Sequence, residues 1–124
     1  MAATTAPYSV TVHFRFDRTD FADPGDETAL GHLARAIRAN PGTRLEIEAH
    51  ADQSGSDAYN VRLSRKRAQQ LVKRLMALGM DRAVVVKIGY YGEKRPLCRE
   101  SNSSCRQQNR RGIIRIIPAG GEER

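Results

Sequence analysis

The sequence predicts an α+β domain: one mixed four-stranded sheet with two main helices packed on one face, in the order β-α-β-α-β-β. Three observations carry this. Segments with a two-residue apolar repeat alternate with segments whose apolar residues recur every three to four positions. Each helical segment lies between two strands, which favours parallel neighbours joined by right-handed crossovers. The 124 residues suffice for a single core, and no apolar run approaches the roughly 20 residues that span a bilayer.

The first strand is expected near Ser9–Phe16, where Val10, Val12, Phe14 and Phe16 alternate with Ser9, Thr11, His13 and Arg15. A polar loop follows over Asp17–Gly25, with Pro24-Gly25 as a turn signal. The first helix is expected to begin near Asp26, whose carboxylate can cap the first turn. Leu30, Leu33, Ala34 and Ile37 form its apolar stripe, and Asn40-Pro41-Gly42 ends it. Leu45–Ala49 is the second strand, with Leu45, Ile47 and Ala49 on one side and Glu46 and Glu48 on the other. The second helix runs from about Asp57 to Leu78. Its apolar face is Val61, Ala68, Leu71, Val72, Leu75 and Leu78, its basic face Arg62, Arg65, Lys66, Lys73 and Arg74, and Gly79 is its expected terminator. The last two strands are placed at about Val84–Ile88 and Gly112–Ile117. Residues 8–118 form the domain, and residues 1–7 and 119–124 are expected to be loose ends.

The formal charge is +7, which favours an anionic partner: nucleic acid, an anionic membrane surface or a carboxylate-rich polymer. A solvated basic face explains the charge equally well. The opening residues Met1–Val10 lack the basic start and apolar stretch of a signal peptide. If the protein is exported, its targeting segment and any membrane tether lie upstream of this sequence. Cys98 and Cys105 flank a short polar stretch. As a disulfide they would stabilise the fold by about 2–3 kcal/mol and imply an oxidising compartment. Free thiols are the second reading. A metal site is the third, and it lacks further ligands nearby.

The stretch Leu45–Ala68 carries the chemistry. It sets an acid, Asp52, just after a strand and a base, Arg67, about three turns into the next helix. Strand end and helix start are neighbours in a βα unit, so Asp52, Leu63 and Arg67 can line one crevice. The pair has two readings. One is a structural salt bridge between loop and helix. The other is a clamp for a zwitterion, with the carboxylate accepting from an ammonium and the guanidinium fork holding a carboxylate.

The run Ala49-His-Ala-Asp-Gln-Ser-Gly55, followed by Tyr59-Asn60, Leu63-Ser64 and Arg67-Ala68, resembles the core signature of OmpA-like domains. Phe14-Arg-Phe-Asp17, Gly89-Tyr-Tyr-Gly-Glu-Lys-Arg-Pro96 and Asn109-Arg-Arg111 resemble three further family segments in order and spacing. The resemblance covers roughly residues 8–117. The family comprises peptidoglycan-associated lipoproteins, the periplasmic ends of outer-membrane barrels and flagellar stator proteins. The resemblance implies a non-catalytic periplasmic module, attached to the outer membrane in the full-length protein, that binds the meso-diaminopimelate stem peptide of peptidoglycan. Asp52 and Arg67 would hold the ammonium and carboxylate of the D-centre. Phe16 and Asp17 would form the opposite wall, and Leu63 would pack on the aliphatic chain. Asn60 would brace the loop, and Thr19 and Asp20 would contribute from the flanking loop. The Cys98–Cys105 loop resembles a disulfide loop of many members. No cofactor or metal is implied.

Four departures stand out: Ala49 and Ala51 for the usual Gly and Thr, a second tyrosine in Gly89-Tyr90-Tyr91-Gly92 that would bulge that turn, and Gly112 where an apolar residue is common. Other functions fit less well. His13, His32 and His50 are far apart in sequence, no catalytic motif is present, and His50 reads as a loop brace. No base-reading motif accompanies the basic residues, which argues against nucleic acid. The remaining alternative is an envelope interaction module, for example with proteins of the Tol system, that does not bind peptidoglycan.

Overall fold

In a computed structural model the chain is described over residues 8–120. Of the loose ends expected at 1–7 and 119–124, residues 1–7 and 121–124 lie outside the described residues. The elements are β1 (Tyr8–His13), α1 (Pro24–Ala39), β2 (Arg44–Ala49), α2 (Asp57–Ala77), β3 (Val85–Tyr90), α3 (Ser103–Asn109) and β4 (Arg111–Ile117), with a short 3-10 turn at Arg82–Val84. The sheet order is β1-β4-β2-β3. β2 and β3 run parallel across the α2 crossover, whereas β4 inserts antiparallel between β1 and β2. The mixed sheet is as the sequence predicts.

The core is one aliphatic cluster between sheet and helices. Leu30, Leu33, Ala34 and Ile37 of α1 and Ala68, Leu71, Val72 and Leu75 of α2 meet Val12, Leu45, Ile47, Ala49 and Ile114 of the sheet. Each such large aliphatic side chain stabilises the fold by about 1.5–3 kcal/mol through burial. Gly79 closes α2 with φ 99°, as its position predicts. Gly112 has a packing reason. A Cβ there would lie 2.6 Å from Leu71 Cδ1 and 3.3 Å from the Phe14 ring, so α2 packs directly against β4 at this point. Among the described residues, no helix is long and apolar enough to cross a membrane.

Four expectations are corrected. The first helix begins at Pro24, not Asp26, and its cap is Asp23, which accepts from Gly25 N at 2.9 Å. Proline lacks an N–H that the first helical turn does not need, so Pro24-Gly25 opens the helix instead of turning the chain. Asp26 accepts instead from His13 N at 3.0 Å, tying α1 to the end of β1. β1 stops at His13, because Phe14 turns to bridge Phe21 and Asp17 adopts φ 57°. Phe16, although in phase with buried Val12 and Phe14, is therefore 62% exposed. The polar stretch after Cys98 leads into α3, which contains Cys105 and is capped by Asn102, which accepts from Cys105 N at 2.8 Å. The second tyrosine does not bulge the ladder at its turn. Ala49 stays opposite Tyr90, and the irregularity falls earlier, between Leu45 and Glu46.

Candidate functional site

The C-terminal ends of β1 and β2 and the N-terminal turns of α2 enclose a cavity of about 500 Å³. One wall is Phe16 and Asp17, from the segment leaving β1. The floor is the β2–α2 loop, including Ala51 and Asp52. The third wall is a stripe along α2 at helical spacing: Tyr59, Arg62, Leu63 and Arg67, with Asn60 behind.

Asp52 is 4% exposed. Its Oδ1 accepts from Ser54 N at 2.7 Å and its Oδ2 from Arg110 Nη1 at 2.8 Å. Burial pushes its pKa up, but the hydrogen bonds from Arg110 and Ser54 together outweigh burial and hold the carboxyl below its ordinary value. Asp52 is therefore an anion at neutral pH. The Asp52–Arg110 pair also sets the geometry of the floor. Arg110 donates through Nε to Phe14 O at 3.1 Å and through Nη2 to Gln107 Oε1 at 2.6 Å. All three of its nitrogens are thus engaged at the site's edge.

Arg67 is completely buried yet borders the cavity. Its Nε donates to Arg18 O at 2.9 Å, Nη1 to His50 O at 3.0 Å and Nη2 to Arg15 O at 3.1 Å. The guanidinium also lies 5.0 Å from the centre of the Phe14 ring. One side chain thereby ties α2 to the segment after β1 and to the end of β2. Burial lowers its pKa to about 10, partly offset by nearby Asp52, so it stays charged at neutral pH. Its hydrogen-bond partners are neutral carbonyls, so Asp52 and Asp17 offset that charge only across space. The structural salt bridge between Asp52 and Arg67 is not what the structure shows: Asp52 bonds to Arg110, and Arg67 bonds to the backbone.

Asp17 stands exposed on the opposite wall and accepts a hydrogen bond from the Tyr59 hydroxyl. That bond raises the Tyr59 pKa, while the charges of Arg67 and Arg62 pull it down. Phe16 forms an apolar lip, 5.9 Å from the Arg110 guanidinium, and half-buried Leu63 lies between Tyr59 and Arg67 on the α2 stripe. Thr19 is not among the lining residues, and Asp20 pairs with Arg15 at 3.6 Å. Asn60 is buried and donates to Glu93 Oε1 at 2.6 Å, fixing α2 to the turn after β3. His50 faces other groups: its ring bonds Glu48 Oε1 at 3.0 Å and stacks on Tyr91.

Cys98 and Cys105 form a disulfide with Cα atoms 5.4 Å apart. It ties the first turn of α3 back to Cys98, and this segment supports the cavity floor. Buried Asn109 accepts from Leu97 N and Cys98 N and donates to Cys98 O and Gln53 Oε1. Gln53, next to Asp52, donates to Glu100 O at 3.3 Å. Sequence reasoning gave Arg110 and Tyr59 no site role, although both stand within the quoted motifs. Only the pairing of β4 between β1 and β2 brings Arg110 beside Asp52.

The described residues thus form a charged cleft at one end of the sheet, lined by a buried anion, Asp52, and a buried cation, Arg67. The OmpA family model matches residues 13–110, and the chain belongs to that family. It is 33% identical over 100 residues to outer membrane porin F of Pseudomonas fluorescens, covering 81% of this chain and 30% of the porin. It is 28% identical over 104 residues to the peptidoglycan-associated lipoprotein of Pasteurella multocida, covering 84% of this chain and 68% of the lipoprotein. The chain thus spans under a third of that porin and about two thirds of that lipoprotein. Among solved structures, the peptidoglycan-associated lipoprotein from Burkholderia pseudomallei matches with a TM-score of 0.79 at 24% identity, covering 86% of this chain and 88% of that one. The cell wall anchor of the T6SS from Pseudomonas aeruginosa matches with a TM-score of 0.69 at 23% identity, covering 89% and 80%. Both likenesses show the mixed-sheet fold.

Proposed function

We propose that this domain binds peptidoglycan non-covalently in the bacterial periplasm and anchors a membrane-tethered parent protein to the cell wall, with the diaminopimelate of the stem peptide as its ligand. The observation that carries the reading is one cavity lined by an ionised carboxylate, Asp52, and a buried guanidinium, Arg67, that share no hydrogen bond. Several relatives are named peptidoglycan-associated lipoproteins, and one structural neighbour is a cell wall anchor. These names support the polymer as partner.

The chemistry follows from the charges. An amino-acid head group carries an ammonium and a carboxylate. The Asp52 carboxylate, held by Arg110 and Ser54, offers its remaining acceptor capacity to the ammonium. The carboxylate is drawn toward Arg67, whose charge acts through a low-dielectric wall. Phe16 and Leu63 supply apolar contact for the aliphatic chain between the two centres of diaminopimelate. The role is binding, with no reacting group required. The net charge of +7 adds attraction to the polymer's carboxylates, screened by salt. Repeated stem peptides strengthen a modest single-site affinity through multivalency.

The test is calorimetric titration with a diaminopimelate-containing stem peptide beside its lysine analogue, which lacks the second amino-acid head group. Saturable binding of the first alone, lost in Asp52→Ala, is expected. A folded domain that binds neither the peptide nor whole sacculi overturns the reading and favours a protein-interaction module.

A further inference from the structure

The cavity contains two cations among its described lining residues, and they differ in availability. Arg67 is fully buried and spends its hydrogen bonds on three carbonyls. Arg62 is exposed and, among the described residues, makes no hydrogen bond or ion pair. The acids on the other walls are already engaged, Asp52 by Arg110 and Asp17 by Tyr59. Arg62 is therefore the cation that an entering carboxylate can touch directly.

We infer that Arg62 is a specificity residue that holds a second carboxylate of the ligand, so that the site distinguishes stem peptides with a free carboxylate beside the diaminopimelate from amidated ones. The inference rests on the reading of the cavity given above and adds to it. Arg62 and Arg67 are five residues apart on α2, a rise of about 7.5 Å. A single carboxylate directed at Arg67 thus leaves Arg62 to another anionic group further along the peptide. The residue linked to diaminopimelate in a stem peptide is a glutamyl residue whose α-carboxylate is either free or amidated. A guanidinium takes a carboxylate with paired, charge-assisted hydrogen bonds, and it gains far less from a neutral amide.

The experiment uses two synthetic peptides, identical except that the glutamyl α-carboxylate is free in one and amidated in the other. Both are titrated calorimetrically into the wild-type chain and into Arg62→Gln. Wild type is expected to bind the free acid about three- to tenfold more tightly, the range of an exposed charge-assisted contact. Arg62→Gln is expected to fold normally and to bind the two peptides equally. Equal affinity of wild type for both peptides overturns the inference, as does undiminished discrimination in Arg62→Gln. If folded wild type binds neither peptide, the reading of the cavity itself fails, and the inference fails with it.

Discussion

Replacing Arg67 with alanine tests whether this residue organises the cavity as well as charging it. The guanidinium is fully buried and donates to the carbonyls of Arg15, Arg18 and His50. Each hydrogen bond from a charged donor contributes about 1.5–3 kcal/mol, so the three together amount to roughly 5–9 kcal/mol. Removing the side chain also relieves several kcal/mol of guanidinium desolvation. Arg15 and Arg18 lie on an exposed segment, so water can reach two of the three carbonyls. The net expectation is a loss of about 3 kcal/mol. With a urea slope of about 1.5–2 kcal/mol/M, the unfolding midpoint falls by about 1.5–2 M. Arg67→Met fills most of the volume without donors and is expected to lie between alanine and wild type. Urea unfolding followed by circular dichroism measures all three. An Arg67→Ala domain with wild-type stability but no ligand binding would refute the tie and leave Arg67 a ligand contact only.

Three further outcomes follow from the same geometry. The folded-state pKa of Asp52 is lowered, so its contribution to stability is complete above its ordinary value of 3.8 and disappears as pH falls below it. Arg110→Ala should move this acid transition to higher pH, read from unfolding curves between pH 2 and about 6. His50 is buried against Glu48, and its pKa is lowered chiefly by burial, with Arg111 and Arg95 adding to the effect against the Glu48 bond. The unfolded chain then takes up the proton first, and stability declines as pH drops below about 6.5; His50→Gln should flatten that decline. Reducing Cys98–Cys105 should lower stability by about 2–3 kcal/mol and weaken peptide binding, because Asn109, Gln53 and Arg110 connect the α3 segment to the Asp52 loop. Thermal melts and titrations with and without reductant measure both.

The residues facing the cavity were largely legible in the sequence, because short-range patterns place them. Asp52 follows a strand, and Leu63 and Arg67 share a helical stripe with Tyr59. What Arg67 bonds to was not legible, since its carbonyl partners at Arg15 and Arg18 reach it through a turn that depends on the left-handed Asp17. Phe16 follows the alternation of β1 but leaves the sheet, because Phe14 already pairs with Phe21. α3 was hidden by its polar composition; the Asn102 cap and the disulfide hold a seven-residue helix that propensity alone does not sustain. The insertion of β4 between β1 and β2 is a long-range choice, and the Asp52–Arg110 pair depends on it.

The course of β1 has a mechanical consequence. Its first residue, Tyr8, lies opposite Ile116 at the end of the sheet away from the cavity, while its last leads directly into the Phe16–Asp17 wall. A load applied through any polypeptide ahead of residue 8, with ligand held in the cavity, runs along the strand and not across it. Hydrogen bonds between antiparallel strands stand perpendicular to the strand axis, so such a load shears the β1–β4 ladder all at once instead of peeling it pair by pair. The β1–β4 ladder is thus oriented to resist tension applied along β1.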